Sequence, residues 1–171
     1  MGSTASQQPR NAMTNARLGE LLRRKLPGLS GSNGHWEAEV MLDGDQKYRF
    51  FCMTDARRGV DRMRFVVPVA KITGQTAQSS FLTKLMSANF HSALDARYAI
   101  DRQYIWSIFL HPLSPLTDEQ VESAISQVLN LAQNYGTSFA STDLVFVGGA
   151  GMHRGDKPLE PTHQWREDQL R

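Results

Sequence analysis

One stretch, Phe81 to Leu131, constrains the fold of this chain more than any other. It reads helix, strand, strand, helix. The run FLTKLMSANF puts Phe81, Leu82, Leu85 and Met86 on one helical face over about residues 79–89. In HSALDARYAID, Leu94, Ala96, Tyr98 and Ile100 point one way and Asp95, Arg97 and Asp101 the other. That alternation is the pattern of a half-buried strand. YIWSIFLHPL is different. Trp106, Ile108 and Leu110 share one face, and Ile105 and Phe109 share the opposite one. A strand that is apolar on both sides is usually covered on both. Helices cover one side, and the other needs a partner, a second copy of the chain or the terminal segments. Thr117 with Gln120 then spells a capping box. The helix behind it carries Val121, Ile125, Val128, Leu129 and Ala132 at spacings of three and four, and Gly136 is suited to follow its end.

Upstream of this unit, Thr14 is placed to cap a helix running to about Lys25, with Leu18, Leu21 and Leu22 along one side. Pro27 and Gly28 stop it, and LPGLSGSNG reads as a turn-rich connector. Trp36, Ala38, Val40 and Leu42 alternate with Glu37, Glu39 and Met41. Asp43-Gly44 is a hairpin signal, and Lys47 to Met53 is the returning strand. A third strand covers Arg62 to Lys71, with Met63, Phe65, Val67 and Val69 on one face. Pro68 cannot donate to a ladder and so calls for an edge or a bulge. The order is α-β-β-β-α-β-β-α. Short connections between adjoining strands predict a mostly antiparallel sheet and an α+β class.

Residues 1–13 read as a flexible tail, 14–149 as a single domain, and 150–171 as a disordered tail. Leu144 to Val147 is an apolar run compatible with a sixth strand or an extended segment. The 171 residues suffice for one proper core. No apolar run approaches the roughly 20 residues of a bilayer span, and the polar N-terminus lacks a secretory signal. A single cysteine, Cys52, allows neither an internal disulfide nor a multi-cysteine zinc site, and points to a reducing compartment, the cytoplasm.

No catalytic constellation stands out. His35, His91, His111, His153 and His163 show no metal-ligand spacing, although His91 and His111 flank neighbouring strands. Cys52 lies in an apolar strand and reads as an inert thiol. Gly148, Gly149, Gly151 and Gly155 lack the Gly-Lys-Ser/Thr of a phosphate loop. Net charge is only +2, but positive charge is clustered. Arg10, Arg17, Arg23, Arg24 and Lys25 face Glu20 alone, and Arg57, Arg58, Arg62 and Arg64 face Asp55 and Asp61. Arginines also mix with aromatics in Tyr48, Arg49, Phe50, Phe51, Arg62, Arg64 and Phe65, residue types that bind nucleic acid when exposed on a sheet face.

The run FLTKLMSANFHSALDARYAID, with the strand and helix start that follow, resembles the YbjN-like and type III secretion chaperone-like group of small bacterial proteins. Leu85, Asn89, Ala93, Ala96, Tyr98, Pro112, Leu113 and Thr117 carry the likeness, which covers about residues 14–135. It implies a compact α+β domain that dimerises and holds an extended segment of another protein. By that resemblance Leu18, Leu21, Leu22, Val40, Phe50 and Phe65 would line partner grooves, although each suits a core position equally well. The two-sided strand nominates Ile105 and Phe109 for a dimer interface. The expectation is therefore a non-enzymatic, cytoplasmic, homodimeric protein-binding domain without cofactor or metal. The alternative is binding of nucleic acid or another anionic partner through the basic first helix and the arginine cluster.

Overall fold

The computed structural model describes residues 12–42, 46–55, 57 and 60–142. Its elements are α1 (Asn15–Lys25), β1 (Ser30–Ser32), β2 (His35–Leu42), β3 (Gln46–Asp55), β4 (Arg62–Lys71), α2 (Ser79–His91), β5 (Arg97–Asp101), β6 (Tyr104–His111) and α3 (Asp118–Gln133). The six strands form one sheet in the order β1-β2-β3-β4-β6-β5, and every pairing is antiparallel. The chain is an α+β fold, as its pattern of elements predicts.

Local chemistry sets the helix ends. The Thr14 hydroxyl accepts from the Arg17 N–H at 3.2 Å and caps α1. Arg23, Arg24 and Lys25 sit in its last turn, where the helix dipole favours cations. The Thr117–Gln120 capping box forms in both directions, at 3.2 and 2.9 Å. Gly19 brings α1 close to the sheet: a Cβ there would stand 3.1 Å from Cζ2 of the buried Trp36.

All three helices bury their apolar sides in one core with the inward residues of the strands. Phe65 is central and fully buried, its ring 5.0 Å from Phe50 and 6.3 Å from Phe109. Pro68 lies inside the sheet on β4, where the register against β6 shifts between Pro68 and Ala70. Of the two sites expected for this proline, the structure uses the bulge.

Several elements depart from the sequence reading. The connector before Trp36 contains a short strand, β1, turned onto β2 by Asn33 (φ 51) and Gly34 (φ 89). That Asn-Gly pair is itself a two-residue hairpin signal. Met13, assigned to the tail, is buried, and its N–H donates to the Ser114 carbonyl at 3.0 Å. β5 starts at Arg97 rather than near Leu94, because side chains take the backbone groups before it. Ser141 Oγ accepts from Leu94 N at 2.7 Å, and buried Gln127 Oε1 accepts from Asp95 N and Ala96 N at 2.8 and 3.1 Å. Asp43-Gly44, the Leu144–Val147 run and the 150–171 tail lie outside the described residues.

After α3 the chain folds back. Tyr135 and Phe139 form an aromatic cluster with Phe81 of α2 and Tyr98 of β5, at centroid distances of 5.7 to 6.3 Å. α2 is joined to β5 by Asn89. Its amide Nδ2 donates to the Tyr98 carbonyl at 3.0 Å, and its Oδ1 accepts from the Tyr98 N–H at 2.7 Å. β5 is an edge strand, so Asn89 supplies what a neighbouring strand would otherwise supply there. The Asn89→Ala variant strands two backbone groups. It is expected to lose about 1–3 kcal/mol of stability in urea unfolding, with an unchanged m-value. A loss below the error of that measurement would show that water replaces the amide at no cost.

Candidate partner-binding surface

Because the helices lie on one side of the sheet, residue parity assigns the strand side chains, outside the bulge after Pro68, to the core or to the opposite face. On that opposite face, cross-strand pairing sets Glu37, Phe51, Val66, Ile108 and Arg97 in one row. His35, Met53, Arg64 and Leu110 form the next row. Pro68, Trp106 and Ala99 form another. The middle of this face is therefore an apolar stripe edged by charge. Val66 is 8% exposed, packed among its neighbours, whereas Leu110 is 58% exposed. Two hollows of about 590 and 430 Å³ lie along the stripe, both lined by Met53, Val66 and Trp106. The indole Nε1 of Trp106 is buried without a hydrogen-bond partner among the described residues.

A second apolar area lies at the β5 edge. Met86 and Phe90, one helical turn apart on α2, are 67% and 79% exposed. Ile100 on β5 is 51% exposed. Large apolar side chains left open singly are ordinary, but clusters mark interaction surfaces.

At the other edge, β1 pairs only with His35 to Glu37. Residues Ala38 to Leu42 of β2, paired with β3 on their inner side, consequently have no strand on their outer side among the described residues. Val40 and Leu42 are half-buried there.

The residues nominated from sequence divide sharply. Leu18, Leu21, Leu22, Phe50 and Phe65 are at most 1% exposed and belong to the core. They are closed to a partner in this conformation, since the helical stripe and strand face that nominated them are what the protein buries against itself. Val40 alone of the six lies at an accessible edge. Ile105 and Phe109, nominated for a dimer interface, are likewise buried under the helices. The reason is physical: alternation separates the two faces of β6 but carries no information about which one the helices take. The open side belongs to Trp106, Ile108 and Leu110.

The charged clusters also resolve. Much of the basic charge of α1 is spent within the molecule. Arg17 pairs with Asp118 at 2.8 Å, Arg24 reaches Asp118 at 3.9 Å, and Lys25 pairs with Glu122 at 2.9 Å. Arg57 is bound to Asp55 through two side-chain hydrogen bonds, which hold the Asp55 carboxyl below its ordinary value. Asp61 accepts from Leu113 N, Ser114 N and Ser114 Oγ at 3.1, 3.1 and 2.6 Å, tying the start of β4 to the approach to α3. Arg62 and Arg64 are exposed and form no ion pair among the described residues.

His35 is exposed, His91 stands edge-on to Phe90 and His111 stacks on Phe109. His153, His163 and the glycines at 148, 149, 151 and 155 lie outside the described residues. Among the described residues no group of three His, Cys, Asp or Glu side chains is placed to hold a metal ion. No described helix is long and apolar enough to cross a membrane.

No protein-family model matches the chain, and none of the curated proteins matches its sequence. Two of the solved structures similar to it are the following. One is the Yersinia pestis type III secretion chaperone SycH, solved with a stable fragment of YscM2. It has 16% identity and a TM-score of 0.48 over 70% of this chain and 97% of that one. The other is from the ExsC–ExsE complex, with 18% identity and a TM-score of 0.46 over 71% of this chain and 92% of that one.

Cys52 is fully buried on β3, and burial pushes its thiol well above the ordinary value. Attack on a disulfide reagent requires the thiolate and access to it. At mildly alkaline pH the folded protein is therefore expected to react with Ellman's reagent no faster than it unfolds, and at once in concentrated guanidinium. Immediate reaction of the folded protein would show an accessible thiol and refute this placement.

Proposed function

We propose that this chain is a protein-binding domain without chemistry of its own, acting as a homodimer that holds an extended segment of another protein. The observation that carries the reading is the apolar stripe on the helix-free face of the sheet. Val66 is packed among its neighbours, but Phe51, Met53, Trp106 and Ile108 are only half-buried and Leu110 is open, and no helix among the described residues lies over them. An extended segment fits such a face because alternate side chains reach one surface while its backbone remains free to pair. The outer edge of β2 from Ala38 to Leu42, away from β3, offers that pairing. The chaperone-like character implied by the sequence resemblance agrees with this reading.

The homodimer is best supported at the α2 and β5 edge. Met86, Phe90 and Ile100 are the exposed apolar groups there, and Asn89 already occupies the Tyr98 backbone. Asn89 discourages simple strand addition at that position, so the pairing would use side chains of α2. The charge-introducing pair M86E with F90E leaves the core untouched, since both side chains are exposed. Light scattering coupled to size exclusion is expected to give a dimer for the parent chain and a folded monomer for the double variant. A parent chain that stays monomeric at high concentration would remove the homodimer from the proposal.

A second reading, binding of nucleic acid or another anionic partner, is favoured by Arg62 and Arg64. It is weakened at α1, where Arg17, Arg24 and Lys25 already have carboxylate partners. Under that reading RNA would bind with an affinity that falls steeply as salt is added.

A further inference from the structure

At one end of the apolar stripe the sheet opens into a cleft of about 640 Å³ between the start of α1, the β1–β2 turn and the ends of β3 and β4. Its chemistry differs from that of the stripe. Arg62 and Arg64 enter it from β4 and His35 from β2. Among the described residues, the Arg62 side chain donates to the Asp61 carbonyl at 2.8 Å and that of Arg64 to Met53 Sδ at 3.8 Å. Neither guanidinium has a carboxylate partner among the described residues. The one acidic residue on the wall, Asp55, is already held by Arg57. Asn15 adds an amide whose Oδ1 is committed to the Thr54 hydroxyl at 2.8 Å, which leaves its Nδ2 as a donor at the cleft. The cleft thus collects N–H donors and positive charge, with Asp55 its one carboxylate among the described residues.

The cleft is continuous with the stripe. Met53, Arg64 and Leu110 form one cross-strand row, and all three line the cleft as well as the open face. A segment lying along Phe51, Val66 and Ile108 would bring its next residues to Arg64. We propose that this cleft seats an acidic side chain, Asp or Glu, of the partner segment, so that the protein selects extended segments in which apolar residues are followed by a carboxylate. The inference rests on the protein-binding reading above and adds a chemical specificity to it. A carboxylate matches the fork of one or both guanidinium groups. A nucleic acid would need a basic track running on past the cleft. What runs on from it is apolar, and the nearest further charges include Glu37 paired to Arg49.

The test is selection of a random peptide display library on the full chain, alongside R62A/R64A and R62E/R64E. Arg62 and Arg64 are exposed, and thermal unfolding of each variant verifies that its fold is retained. The parent chain is expected to enrich apolar peptides carrying Asp or Glu at a constant offset. A synthetic peptide from that pool is expected to bind R62A/R64A about tenfold more weakly, the combined worth of two exposed charge pairs. R62E/R64E is expected to enrich Lys or Arg at the same offset. Apolar peptides enriched by the parent with no acidic preference would overturn the carboxylate site and leave the protein-binding reading standing. Absence of any enriched peptide would overturn both. A single-stranded RNA oligomer bound by the parent and lost in R62A/R64A, without acidic enrichment among peptides, would assign the cleft to phosphate instead.

Discussion

Phe65 sits where the strands and helices of this molecule meet, and the rest of the structure depends on the side of the sheet it occupies. Its ring packs between Phe50 of β3 and Phe109 of β6. The buried residues of α1, α2 and α3 join the same cluster. A strand exchanges its faces at every residue, so placing Phe65 inward places Arg64 and Val66 outward. A slip of one residue in any pairing would turn an apolar row to water and a charged one to the core. The bulge at Pro68 absorbs the extra residue on β4 locally and keeps the pairs before it, Phe65↔Phe109 and Val66↔Ile108, in step. The open apolar face is therefore a consequence of the same constraint that builds the core.

Features governed by local chemistry were legible in the sequence. The Thr14 cap, the Thr117–Gln120 box and the alternation of β2, β3 and β4 all appear where the residues indicate. The motif Leu85-x-x-x-Asn89 was visible as a pattern, but its work is done in space: Leu85 enters the core while Asn89 closes the Tyr98 backbone. What escaped the sequence depends on contacts distant along the chain. The shortening of β5 follows from Gln127 on α3, more than thirty residues away. The open side of β6 is decided by where three helices pack, and the alternation of Ile105 with Trp106 is the same in either case. The β1–β2 turn is the exception, since the Asn33-Gly34 pair announces it locally.

Charge in this protein is likewise understood only after pairing. The basic run from Arg17 to Lys25 looks in the sequence like a surface for an anionic partner. In the structure it faces the acidic first turns of α3. Such exposed pairs contribute at most about 1 kcal/mol each, so they act less as a source of stability than as a sink for charge. Arg62 and Arg64, separated by one residue on the outward side of β4, are left without that neutralisation. They border the apolar stripe, which gives the surface two adjoining chemistries, one apolar and one cationic.

The central claim is that the helices cover the Phe65 side of the sheet and leave the Val66 side open. Methyl-labelled NMR spectra with a soluble paramagnetic agent read this directly, because relaxation reports the access of solvent to each methyl group. The account expects strong broadening at Leu110 and clear broadening at Ile108, with Ile105, Val67 and Leu131 nearly unaffected. Broadening at Ile105 and Val67 with protection at Ile108 and Leu110 would mean that the helices pack on the opposite face, and would contradict it.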